Sequence, residues 1–156
     1  MINVVLMRHG DAEALRSSDQ ERQLTELGKE EVQCMASYLS IHDAPFDYVV
    51  SSPYVRACQT ADLMVAQQSP SAQRLQVTEL VPEADPADAQ LFLDALLATA
   101  PTARVLIISH MPLLSFLTEK LSRPGVTPIF ATAGCALFQY QAGRGEFVKM
   151  LAPAAL

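Results

Sequence analysis

Three short apolar, β-branched runs in this chain each stop abruptly on polar residues, and that repeated ending constrains the fold more than any other feature. Ile2 to Met7 runs into Arg8-His9-Gly10, Phe46 to Val50 into Ser51-Ser52-Pro53, and Val105 to Ile108 into Ser109-His110. Runs with so little polar alternation read as strands buried on both faces of a parallel sheet. In open parallel sheets the C-terminal strand ends line the ligand crevice. If the three strands are neighbours, Arg8, His9, Arg56 and His110 converge although about a hundred residues separate the first from the last.

Helical segments alternate with these runs. Thr25 is the N-cap of a helix in which Val32, Met35, Ala36 and Leu39 recur at helical spacing, reaching about Ser40. Val55, Cys58, Ala61 and Leu63 mark a second helix after Ser51-Ser52-Pro53. Leu75 to Val77 is a weaker strand, Asp85-Pro86 opens a helix through Leu91 to Leu97, and Pro112 opens another carrying Leu113, Phe116, Leu117 and Leu121. Beyond Thr127, the alternating runs Ala136 to Gln141 and Glu146 to Leu151, joined by Ala142-Gly143-Arg144-Gly145, predict a hairpin at one sheet edge. Ser17 to Gln23 and Gln67 to Gln73 read as exposed polar loops. The expected architecture is one α/β domain spanning residues 1–156: a mainly parallel central sheet, helices on both faces, and a C-terminal antiparallel edge hairpin.

Composition narrows the function classes. A net charge of −6 argues against broad binding to nucleic acid or to an anionic membrane. No secretory signal pattern opens the chain and no apolar run is long enough to span a bilayer, so a cytoplasmic location is the expectation; the sequence leaves the oligomeric state open, with a monomer favoured. Cys34, Cys58 and Cys135 lack C-x-x-C pairing and read as reduced thiols. No two of the three histidines stand at metal-ligand spacing, so the reading includes no metal and no cofactor. Yet eight of the eleven basic residues are arginine, the side chain whose planar fork of donors suits phosphate oxygens. Arg16, Arg74, Arg104, Arg123 and Arg144 read as solvated or ion-paired surface residues, and His42 as a helix-end residue.

Two arginines and two histidines around one point suit a tetrahedral dianion. A neutral imidazole can also take the phosphoryl group covalently, splitting one transfer into two. Gly10, without a Cβ, lets backbone approach an anion.

The motif Leu6-Met7-Arg8-His9-Gly10-Asp11 resembles the R-H-G signature of the histidine phosphatase superfamily, which includes phosphoglycerate mutases. Leu24-Thr25-Glu26-Leu27-Gly28, Ser51-Ser52-Pro53-Tyr54-Val55-Arg56-Ala57-Cys58-Gln59-Thr60 and Ile108-Ser109-His110 resemble its later blocks in order. Within it the chain is most similar to the SixA group of protein phosphohistidine phosphatases. The resemblance implies a phosphoglycerate mutase-like fold, His9 as nucleophile, and Arg8, Arg56 and His110 as phosphoryl-holding groups, with Arg22 as an added phosphate or substrate contact. Ser52 can donate to the same pocket. Glu79, in Val77-Thr78-Glu79-Leu80, stands roughly where relatives that cleave esters supply a general acid, but without the glycines that follow there. A weak acid is tolerable when the leaving group is another imidazole, whereas an alkoxide needs a proton. The implied substrate is therefore a phosphohistidine on a histidine phosphotransfer domain or phosphocarrier protein. A small-molecule phosphomonoesterase of the same superfamily is the alternative, and a non-catalytic phosphoprotein-binding module a third reading that intact Arg8, His9, Arg56 and His110 argue against.

Overall fold

The computed structural model describes every residue except Leu15 and Ala142. The parallel part of its sheet is built from β1 (Val4–Arg8), β2 (Tyr48–Ser51), β3 (Gln73–Gln76) and β4 (Val105–Ser109), and the antiparallel part from β5 (Cys135–Gln141) and β6 (Arg144–Leu151). The strand order is β3-β2-β4-β1-β5-β6. The four N-terminal strands run parallel to one another, β5 pairs antiparallel with β1, and β6 with β5. The doubly buried runs thus lie at the centre and the alternating hairpin at one edge, as strand patterning requires.

Four helices cover the sheet: α1 (Glu26–His42), α2 (Val55–Gln67), α3 (Pro86–Thr99) and α4 (Leu113–Leu121). Alternate strand residues point to opposite faces, and the core divides accordingly. Val5, Met7, Val49, Leu106 and Ile108 pack with Val32, Met35, Ala36 and Leu39 of α1 and Ala57, Ala61 and Met64 of α2. Val4, Leu6, Val50, Val105 and Ile107 pack with Ala89, Leu93 and Leu97 of α3 and with Leu113, Leu114, Leu117 and Leu121 of α4. Leu6, Met7, Ile107 and Ile108 are fully buried, and each such side chain contributes about 1.5–3 kcal/mol through removal from water. The result is a three-layer α/β architecture. Among the described residues no helix is long and apolar enough to cross a membrane.

Three expectations need correction. The second strand begins at Tyr48, because the amides upstream have other partners: Phe46 N donates to Ser69 Oγ, while Asp47 N and Tyr48 N both donate to the Arg104 carbonyl. Gln67 to Gln73 is not a wholly exposed loop. Gln67 ends α2, while Gln68 and Ser69 are buried, Gln68 Nε2 donating to the Ala44 carbonyl, so these polar residues satisfy the backbone of the neighbouring connection. In the expected hairpin connector, Arg144 and Gly145 already belong to β6, and Ala142 lies outside the described residues.

Register carries the fold to its polar edge. Arg8 of β1 stands opposite Ser109 of β4, so the next residues, His9 and His110, leave the sheet side by side. Ser51 of β2 stands opposite Ile108, which brings Ser52 to the same place.

Candidate active site

His9 is 7% exposed and His110 is 1% exposed, with ring centroids 5.1 Å apart. The His9 backbone is held on both sides: its N–H donates to the Ser109 carbonyl, and its carbonyl accepts from Ala133 N. Ala133 is the one non-glycine residue described with a positive φ, 55°, a conformation that costs an L-residue about 1–2 kcal/mol. It closes the turn whose Gly134 carbonyl also receives Arg8 N–H.

The His9 ring is oriented by Nδ1, 2.7 Å from the Gly10 carbonyl. That oxygen can only accept, so Nδ1 carries the proton and Nε2 is the basic nitrogen. Arg56, from the first turn of α2, donates Nε–H to His9 Nε2 at 3.2 Å. Burial, and the charges of Arg56, Arg8 and Arg22 behind it, push the His9 pKa down to about 4 despite the opposing hydrogen bond to Gly10. His110 is pushed down to about 2, by burial first and then by His9 and Arg56. Both imidazoles are neutral near pH 7.

Ser52 fixes the second histidine. Its Oγ accepts from Tyr54 N at 3.1 Å and lies 2.8 Å from His110 Nε2. The Ser52 hydroxyl can donate to Nε2, and in that tautomer His110 carries its proton on Nδ1 and offers it as a donor. Among the described residues three buried side-chain nitrogens lack a partner, and two of them, His110 Nδ1 and Arg8 Nε, belong to this edge. Orphaned buried donors are costly, and two at the strand edge that carries His9 are available to an anion's oxygens. The third, Arg74 Nη2, sits away on β3.

The arginines differ in how they are held. Arg8 donates Nη1–H to the Phe130 carbonyl at 2.8 Å, and burial holds its pKa below the usual value, with Glu31 opposing. Glu31 in turn accepts from Asp11 N and from Thr132 Oγ1, joining the loop after β1 to the turn before β5. Arg56, 4% exposed, gives both terminal nitrogens to Asp19: Nη1 to its carbonyl at 2.6 Å and Nη2 to Oδ2 at 3.2 Å. Arg22 donates to Asp19 Oδ1 at 2.8 Å and to the Glu13 carbonyl at 2.6 Å, so it reaches the cluster through Asp19.

The remaining motif residues clasp the blocks together. Thr25 Oγ1 accepts from Gly28 N, capping α1, and donates to Asp11 Oδ2. Gln59 Oε1 accepts from Leu24 N, and Thr60 Oγ1 accepts from Gly10 N while donating to the Arg56 carbonyl. A Cβ on Gly10 would meet the Gly28 carbonyl at 2.6 Å, and one on Gly28 the Asp11 carbonyl at 2.0 Å. The missing Cβ of Gly10 is thus required by the close approach of helix α1.

The structure brings Arg8, His9, Ser52, Arg56 and His110 to one edge and joins Arg22 to them. Glu79 lies in a 3-10 turn, Thr78–Leu80, tied to that edge through Val77 N to the Ser51 carbonyl and Ser109 Oγ to the Leu80 carbonyl. Its carboxylate accepts from Thr78 Oγ1 at 3.4 Å and is bonded to neither histidine. Asp19, Glu31 and Thr60 were missed in the sequence reading. Asp19 had a signal, a carboxylate three residues before Arg22 in a turn, whereas Glu31 looks like any charged residue on an exposed helix face.

The profile of the histidine phosphatase superfamily, branch 1, matches residues 4–88. Phosphohistidine phosphatase SixA of Escherichia coli is 33% identical over 154 residues, covering 97% of this chain and 94% of that one. The chain belongs to the histidine phosphatase superfamily. A SixA homologue of Haemophilus influenzae is 28% identical over 126 residues, 77% of each chain. A solved structure of the protein histidine phosphatase SixA complexed with tungstate superposes with a TM-score of 0.92 at 32% identity, covering 97% of both chains. In this chain the R-H-G motif stands at the C-terminal end of β1, a central strand of the sheet.

Proposed function

We propose that the protein is a phosphohistidine phosphatase that dephosphorylates a histidine on a phosphotransfer domain or phosphocarrier protein in the cytoplasm, with His9 as the covalent phosphoryl acceptor. The observation that carries this is a neutral His9 with its basic Nε2 held beside Arg56, with Arg8 Nε and His110 Nδ1 left unpartnered at the same strand edge. Two relatives bear the name phosphohistidine phosphatase, and tungstate, a tetrahedral oxyanion, is bound by the similar solved protein.

In the first step His9 Nε2 attacks phosphorus, the Nε2–P bond forms, and the bond between phosphorus and the substrate imidazole nitrogen breaks. Arg8, Arg56 and the His110 Nδ1–H balance charge on the three equatorial oxygens. The departing imidazole nitrogen is protonated from water. In the second step water attacks phosphorus, the bond to His9 breaks, and orthophosphate leaves. A weakly basic His9 aids this step because it is a good leaving group. Transfer between two imidazoles makes small demands on a general acid, which accords with a Glu79 bonded only to its neighbour. The segment between α2 and α3 contains only β3 and one 3-10 turn, short cover for a site that must receive a side chain from another protein.

The test compares phosphate release from a phosphohistidine-bearing phosphotransfer protein and from p-nitrophenyl phosphate. Rapid release from the first with little from the second is the expected result. Brisk ester hydrolysis with an inert phosphohistidine would instead identify a small-molecule phosphomonoesterase and assign Glu79 as its acid.

A further inference from the structure

We propose that Asp19 is a positioning residue that stands in for the phosphoryl group, holding Arg22 and Arg56 between turnovers and giving way when phosphoryl oxygens arrive. The inference rests on the phosphatase reading and adds to it a group that competes with substrate and product for the same donors.

Asp19 divides its acceptors between two arginines. Oδ1 takes Arg22 Nη1 at 2.8 Å, Oδ2 takes Arg56 Nη2 at 3.2 Å, and the carbonyl takes Arg56 Nη1 at 2.6 Å. Both terminal nitrogens of Arg56, the fork that suits a phosphate, are thereby used on one residue. The third nitrogen, Nε, donates to His9 Nε2. A lone pair that accepts this hydrogen bond is not free to attack phosphorus. As arranged here the nucleophile is capped by Arg56, and Arg56 is anchored by Asp19.

Exposure decides which partner moves. The Arg56 side chain is 4% exposed and that of Asp19 is 56% exposed. Asp19 lies in a 3-10 turn, Asp19–Glu21, that buries no residue, so little besides these polar contacts holds it down. The Arg22 hydrogen bond, together with the Arg56 charge, keeps the Asp19 carboxyl below its ordinary pKa, so it is an anion whenever the site is in use. A phosphoryl dianion offers the same arginines more charge and more oxygens than one carboxylate. Exchange of Asp19 for that dianion would turn Arg56 onto the phosphoryl oxygens and uncap His9 Nε2. After hydrolysis the return of Asp19 would help expel orthophosphate.

The test is orthophosphate binding by titration calorimetry to the full chain and to Asp19→Asn and Asp19→Ala, with KM and kcat measured alongside. Removing a carboxylate that competes at hydrogen-bond distance tightens orthophosphate about ten-fold. KM falls while kcat stays level or drops as product release slows. Unchanged or weaker orthophosphate binding in both variants would overturn the proposal and make Asp19 a passive or purely organising contact. Orthophosphate binding needs no turnover, so the two readings fail differently. A native protein that binds no orthophosphate sinks the phosphatase reading together with this one, whereas native binding without a gain in the variants sinks this one alone.

Discussion

Arg104 and Arg56 are both deeply set arginines, and the contrast between them separates architecture from function in this molecule. Arg104, at the start of β4, has fixed partners for all three nitrogens: Nε donates to the Pro45 carbonyl, Nη1 to the Ile2 carbonyl, and Nη2 to the Ala44 carbonyl, with the Asp43 carboxylate 2.9 Å away and the Phe46 ring beneath. It ties the N-terminal strand to the connection between α1 and β2. Arg56, at the opposite end of the sheet, has one partner that is His9, the proposed nucleophile, and one that is largely solvent-exposed. A cation saturated by backbone carbonyls cannot take up a ligand. One held by an exposed carboxylate can.

Substituting the two arginines separates the roles most sharply. Arg56→Ala removes charge stabilisation from the transferring phosphoryl group and lowers kcat/KM by about 10²–10³-fold, with a Tm within about 3 °C of the native value. Arg104→Ala leaves kcat/KM per folded molecule near native but costs about 2–4 kcal/mol, a Tm loss on the order of 10 °C. Thermal melts and steady-state kinetics on both proteins check this, and a swap of the two phenotypes would refute the contrast.

Gly28→Ala attacks the junction between the blocks. The added methyl meets the Asp11 carbonyl, so α1 and the loop after β1 must part, at a cost of about 3 kcal/mol and with His9 displaced. Denaturant melts at neutral pH measure the loss, and a fully stable, active Gly28→Ala protein would show that the close approach is unimportant.

Acid should weaken the site end before it weakens the core. The folded-state pKa values of His9 and His110 lie below the usual histidine value, so the unfolded chain binds more protons below pH 6.5. The stability contributed by keeping both neutral is complete above that pH and is lost as pH falls towards 4. The loss is about 3 kcal/mol between pH 7.5 and 5.5. Urea titrations at the two pH values, together with histidine ring NMR showing neither resonance titrating above pH 5, provide the measurement. A ring titrating near 6.5 would mean that the pocket is wetter or more mobile than the geometry shows.

One side of this contrast was readable in the chain: Arg56 fell at the site, whereas Arg104, expected as a solvated or ion-paired surface residue, is deeply set among backbone carbonyls. Strands β1 and β4 were legible because they are buried on both faces, and their register put His9 beside His110 once parallel pairing was assumed. Asp85 was legible as an N-cap because its side chain meets Ala87 N locally. Glu31, the partners of Arg104 and the hold of Asp19 on Arg56 were not, since each acts on residues distant in sequence and carries no periodicity; only the pairing of Asp19 with Arg22 is local. Gly10 was singled out from its motif, but its contact with Gly28 is revealed only by the packing of α1.

The most direct test of the account is to mix the native protein with a stoichiometric phosphohistidine donor, quench at alkaline pH, where phosphohistidine survives, and locate the label by peptide mass spectrometry. The account predicts one phosphoryl group on His9, none on His110, and no label in His9→Ala. Turnover by His9→Ala at the native rate, or label on any other residue, would contradict it.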